Sequence, residues 1–361
     1  MDIYDYLSIT RGFFELIPDN SNRFSQYIDF VRSSMKDYEI NVLFIRSQYG
    51  KTEIVSISNE KYMIIDRQND LYMNALAFIE IFKENDAAFI DNLFNILVFI
   101  SSSELHYRQR PLLALKLYNL YKSKYNLTVP LDIIAEMGRL HFILYHEWGH
   151  YIADDHANVL ETVTASVEGI FDDHIKDVLR NIDGENNFLK NFYYNVTYRE
   201  IFEKNNLNEC VADFLALEAM FIIMDSDQLM TISLGGKSNF VFNILIGIYY
   251  LFIIKNIKNI VNDAINGFEY KEMDSSIIEQ RLRVTRQIFS RMLYDHIGSK
   301  GSKENFYRFT SFVNKYNNIL RHELYPQLHR LIYANRSTFD EHIDFEINIE
   351  KCLKVFNWVW T

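Results

Sequence analysis

Five consecutive residues, His146-Glu147-Trp148-Gly149-His150, carry the clearest chemical potential in this 361-residue chain. On an α-helix, residues four apart share a face, so His146 and His150 can offer two imidazole nitrogens to one tetrahedral metal while Glu147 stands beside it. Zinc suits that donor set and lowers the pKa of a bound water. A carboxylate next to the first histidine can take that water's proton and later deliver it to a leaving amine. Glu147 is therefore the candidate general base, and the implied reaction is hydrolysis of a peptide bond. The plainer alternative is a pair of partly exposed helix histidines. Against it, Leu140, Phe142, Ile143 and Leu144 make the preceding turns apolar, and a carboxylate buried between two histidines is costly without a cation.

A catalytic zinc needs a third protein ligand and leaves a fourth position for water. Two candidates compete. Glu209, in Asn208-Glu209-Cys210-Val211-Ala212-Asp213, shares a helix face with Asp213, so one carboxylate can bind metal while the other orients a histidine ligand from behind. Ala212 and Ala216 allow that helix to approach the histidine helix closely. The alternative metal ligand is His156, ten residues beyond His146, which is the metzincin spacing. That arrangement ends the helix in a left-handed turn, which favours glycine, and this chain has Ala153 there. Asp154-Asp155-His156 also has the composition of a solvated turn. Cys210, beside Glu209 but on the neighbouring helix face, reads as a core residue. A donor for the oxyanion of the tetrahedral intermediate is also required, and Tyr198, Arg199, His156, Arg281 and Arg283 are all eligible.

These side chains must be held by longer elements. Pro130 and Asp132 signal a helix start, and Ile133, Met137, Leu140 and Leu144 keep a three-to-four-residue spacing, so the histidine segment belongs to a helix running from Pro130 to Ile152. Asn181 to Asn187 reads as a loop between it and a second helix starting near Asn208. Upstream, Asn41 to Arg46, Glu53 to Ile57 and Tyr62 to Asp66 are short β-rich runs. They are separated by turns at Gln48-Tyr49-Gly50-Lys51 and Asn59-Glu60-Lys61, and together predict a three-stranded meander. Tyr62 to Asp66 is the candidate edge at which an extended peptide could add. From Leu71 onward helical periodicity dominates. The expected fold class is mainly α with a small β-meander (α+β), divided into residues 1–125, a zinc-binding helical core over 126–295, and a C-terminal helical extension over 296–361 that completes one compact unit.

Composition narrows the function. The chain is 48% hydrophobic and 15% aromatic, with only 12 Gly and 4 Pro, which suits a folded, largely helical protein and not a sandwich of many short turns. A formal net charge of −11 argues against a nucleic-acid partner, because phosphate binding needs a basic face. The two cysteines, Cys210 and Cys352, are too few for a disulfide framework, and the N-terminus lacks a basic-then-apolar leader. The expected location is the cytoplasm. Phe240 to Ile254, an apolar run of about 15 residues, falls short of the roughly 20 needed to cross a bilayer and is expected to be a core helix.

The sequence His146-Glu147-x-x-His150 followed by Glu209-x-x-Ala212-Asp213 resembles the gluzincin metallopeptidases. That resemblance implies a zincin-like core in which His146, His150 and Glu209 bind Zn2+, Glu147 is general base and Asp213 supports a histidine. The order of parts also resembles the phage-exclusion peptidases of the Lit type, with short strands before the metal helix and an apolar helix, Phe240 to Ile254, after the glutamate helix. In that comparison Glu279-Gln280-Arg281-Leu282-Arg283 occupies the place of an arginine-bearing helix. The resemblance implies an intracellular protein substrate and a role in phage defence. A function of a different class is a degenerate, metal-stabilised interaction protein of a toxin or immunity system, which keeps the helix pair without hydrolysis.

Overall fold

The computed structural model describes residues 1–11, 14–17, 38–47, 51–67, 89–108, 110–122, 133–181, 204–226, 237–270 and 307–337, with isolated positions between them. In chain order these comprise α1 (Ile3–Arg11), β1 (Phe14–Leu16), β2 (Ile40–Ser47), β3 (Glu53–Ile57) and β4 (Glu60–Asp66), followed by α2 (Phe89–Tyr107) and α3 (Pro111–Lys122). Next come α4 (Ile133–Asp155), α5 (Ala157–Asn181), α6 (Lys204–Ser226) and α7 (Lys237–Ile265). A helical stretch over 307–319 then passes through a π-turn, Leu320–Leu324, into α8 (Tyr325–Asn335). The protein is mainly helical with one small sheet.

That sheet is not a meander. Its order is β1-β2-β4-β3, with β2 parallel to β4 and the outer pairs antiparallel. The cause lies in side-chain pattern. In β2, Ile40, Val42 and Phe44 face the large helical core together with Met63 and Ile65 of β4. Ile45 and Ile64 face the other way, onto Ile3 and Leu7 of α1. Strands apolar on both faces belong in the middle of a covered sheet. Tyr62 to Asp66, expected at an edge, is therefore internal, and β3, with the weaker pattern, takes the outside position. The β3–β4 turn is a two-residue one at Ser58 and Asn59, whose φ values of 51° and 69° are the pair of left-handed conformations that a tight hairpin demands. Glu60 and Lys61, expected in the turn, are instead the first residues of β4.

The core continues from the sheet through α2 and α3 to α4, α6 and α7, and reaches Phe309, Val313 and Leu328 near the C-terminus. Helix α7 runs through its middle. At 29 residues it is almost twice the expected length, and Phe242–Ile265 is apolar enough to cross a membrane. Length thus does not argue against a span. Burial does favour the core assignment, because 72% of its most apolar window lies inside the protein. Its Tyr249 hydroxyl donates to Asn317 Oδ1 at 2.8 Å, fastening it to the helical stretch that precedes α8.

Candidate metal centre

The two helices that carry the chemistry, α4 and α6, pack along each other more extensively than any other pair of elements described. Gly149 makes this possible. A Cβ there would lie 2.9 Å from the Ala212 carbonyl oxygen, 3.0 Å from Ala212 Cα and 3.3 Å from Leu215 Cβ, so any larger residue would wedge the helices apart at a backbone contact. Ala212 and Ala216, both fully buried, supply the small residues on the opposing helix. Sequence reasoning identified the alanines but missed the glycine inside the motif, which looked like one of its two variable positions.

At this crossing His146, His150 and Glu209 come together, with one ligand atom from each lying within 4.8 Å of the others. His146 Nε2 is 3.6 Å from Glu209 Oε2, and His150 Nε2 is 3.6 Å from Glu209 Oε1. Donors held at about 2.0–2.1 Å from a tetrahedral zinc stand roughly 3.4 Å apart; the two histidine–glutamate separations are close to that, each to a different Glu209 oxygen, so the group could hold a metal ion. The imidazole rings meet edge to face, 4.7 Å between centroids, and Phe142 stacks beneath His146 at 6.0 Å. Exposure is graded across the cluster. The His146 side chain is 11% exposed, and those of His150 and Glu209 are 31% and 34%, which leaves an approach from solvent on one side.

Behind His146 sits Asp213. Its carboxylate is completely buried, and its Oδ1 lies 2.9 Å from His146 Nδ1. The 2.9 Å separation is an ion-pair contact without hydrogen-bond alignment, and a proton carried on Nδ1 would face this carboxylate and leave the Nε2 lone pair toward Glu209. The other oxygen, Oδ2, accepts from the Thr285 hydroxyl at 2.8 Å. Thr285 has no signature in the sequence, because the contact joins segments 72 residues apart.

Glu147, between the two histidines, keeps partial exposure yet lies in desolvating surroundings. Burial pushes its carboxyl up to about 7, helped by the negative charges of Glu209 and Glu53 and opposed by His150 and Lys51. A carboxyl with that affinity can both accept and return a proton near neutrality. Strand β3, which begins at Glu53, packs against α4. Glu53 is fixed there by a salt bridge to the buried Arg11 and by Tyr6, whose hydroxyl donates to it at 3.0 Å. Arg11 also donates to the Lys51 carbonyl at 3.2 Å. Farther along α4, Lys61 donates to Asp155 Oδ2 at 2.8 Å and to the Tyr151 hydroxyl, holding the β3–β4 hairpin against the helix. None of these supports was legible in the sequence, since each pairs distant segments.

His156 is not part of the cluster. Its backbone N–H donates to the Ile152 carbonyl at 2.9 Å, so α4 continues helically through Ala153 without a left-handed turn. His156 therefore stays exposed at the junction with α5. Cys210 is buried in the core beside Glu209. Tyr198, Arg199, Arg281 and Arg283 lie outside the described residues, as do Cys352 and residues 182–187 of the expected loop. Compared with known proteins, the chain matches no family model, no curated protein and no solved structure.

Proposed function

We propose that this protein is a zinc-dependent peptidase acting on an intracellular protein or peptide. The observation that carries the reading is the convergence of His146, His150 and Glu209 with Glu147 next to them in sequence. Three donors of that chemistry with a solvent-facing side are the ligand set of an open zinc site. A zinc ion bound there supplies Lewis acidity, acidifying water and polarising a carbonyl. Glu147, next to His146 in sequence, would take the proton from the attacking water and hand it to the leaving amine. Asp213 and Phe142 hold His146 in place. Among the described residues β3 is an outer strand with one side not covered by another strand, and it packs against α4. An extended substrate segment added to that edge would be held by main-chain hydrogen bonds alongside the motif. The scarcity of cysteine fits a reducing, cytoplasmic setting.

The test is a pair of measurements on purified protein. Zinc content of one ion per chain is expected for wild type and for Glu147→Gln, with peptide hydrolysis present in the first and abolished in the second. Hydrolysis by E147Q at the wild-type rate would overturn the assignment of the base. Stoichiometric zinc without hydrolysis of a broad peptide library would instead favour a metal-stabilised interaction protein.

A further inference from the structure

The contact between Thr285 and Asp213 extends the site by one residue that neither the motif nor its resemblance supplies. Asp213 is fully buried on α6, as are its helix neighbours Cys210, Ala212, Ala216 and Leu217, and a buried carboxylate needs donors for its oxygens. Its Oδ1 lies 2.9 Å from His146 Nδ1. Its Oδ2 accepts from Thr285, itself 1% exposed. Rotation of the carboxylate about its terminal torsion would break the Thr285 bond, so that bond fixes the plane in which Oδ1 is presented to His146 Nδ1. We propose that Thr285 is a positioning residue for the metal centre. By donating to Asp213 it fixes that carboxylate, and through it the tautomer and ring orientation of His146. This rests on the proposed metal site, and it adds that Thr285 contributes to metal affinity through its hydroxyl.

Thr285→Val removes the hydroxyl at nearly constant volume, and Thr285→Ser keeps it. Zinc affinity, measured by competition with a chromophoric chelator, is expected to fall up to about 10-fold in T285V, the low end of the cost of losing a ligand's own hydrogen-bond partner because Thr285 acts one residue removed, and to stay near wild type in T285S. If the effect passes through Asp213, it disappears when T285V is placed on an Asp213→Asn background. Imidazole 15N shifts provide a readout that packing alone would not move, with the His146 tautomer becoming mixed in zinc-free T285V while His150 is unchanged. Wild-type affinity in T285V, or a loss undiminished on the D213N background, would overturn the proposal. In both cases a His146→Ala control that fails to bind leaves the metal site itself standing. Failure of the wild type to bind zinc would instead remove the metal site and this inference together.

Discussion

Two glycine-to-alanine substitutions test the helix crossing that builds the site, and they are expected to act in opposite directions. Gly149 and Gly169 both lie inside helices, where alanine is favoured over glycine by roughly 0.5–1 kcal/mol. At Gly169, on the exposed side of α5, an added Cβ meets nothing within 4 Å, so the full gain is expected. At Gly149 the same methyl would sit 2.9 Å from the Ala212 carbonyl oxygen and 3.0 Å from its Cα. Both obstacles are backbone atoms, so no side-chain rotation relieves the contact and the helices must separate by several tenths of an ångström. Overpacking of this kind costs about 1–3 kcal/mol, which cancels or exceeds the propensity gain. Urea unfolding of the zinc-free proteins should place G169A above wild type and G149A at or below it, about 1–3 kcal/mol apart. The separation also moves Glu209 on α6 away from the histidines on α4, so G149A should bind zinc more weakly while G169A binds as wild type. If G149A gained stability like G169A and kept its zinc affinity, the close approach of the two helices would be refuted.

The choice of third ligand is checked by zinc stoichiometry, where Glu209→Ala should lose the metal and His156→Ala should retain it. A pH series on Glu53→Gln tests the clamp at the start of β3. Although burial opposes it, Glu53 is held below the usual carboxylate range by Lys51, Arg11 and Tyr6. Its ionised form therefore contributes stability above the unfolded-state pKa, and that contribution is lost as pH falls through the lowered folded-state value. E53Q leaves the Arg11 charge buried without its carboxylate and should be roughly 3–5 kcal/mol less stable at neutral pH. The gap between the two proteins should close in strong acid, and a gap independent of pH would show that the Glu53 charge is not what the clamp uses.

Local patterns carried a large part of this structure. The i, i+4 spacing of His146 and His150 requires a shared face once the segment is helical, and the same period pairs Glu209 with Asp213, so each half of the site could be read within a few residues. The apolar character of Phe240 to Ile254 marked a helix, and the β-rich runs gave strands close to their observed bounds. Strand order was not legible, because Tyr62 to Asp66 alone does not say which strands lie on either side. Burial of Met63 and Ile65 on one face and Ile64 on the other made β4 internal and moved the sheet's edge to β3. Whether Glu209 or His156 stands near His146 and His150 likewise depended on whether α4 turned at Ala153 or ran on, and its helical hydrogen bonds continue through His156.

What the sequence determined by itself is which donor side chains share a face on each helix, because side-chain periodicity along one element depends only on neighbours a few residues apart. What tertiary structure decided is which elements meet. The missing Cβ of Gly149 lets α4 rest on the backbone of α6, Thr285 reaches Asp213 from a distant segment, and Arg11 and Glu53 join the N-terminal helix to the first residue of β3. Those contacts depend on close packing between residues far apart in the chain, and no local period records them.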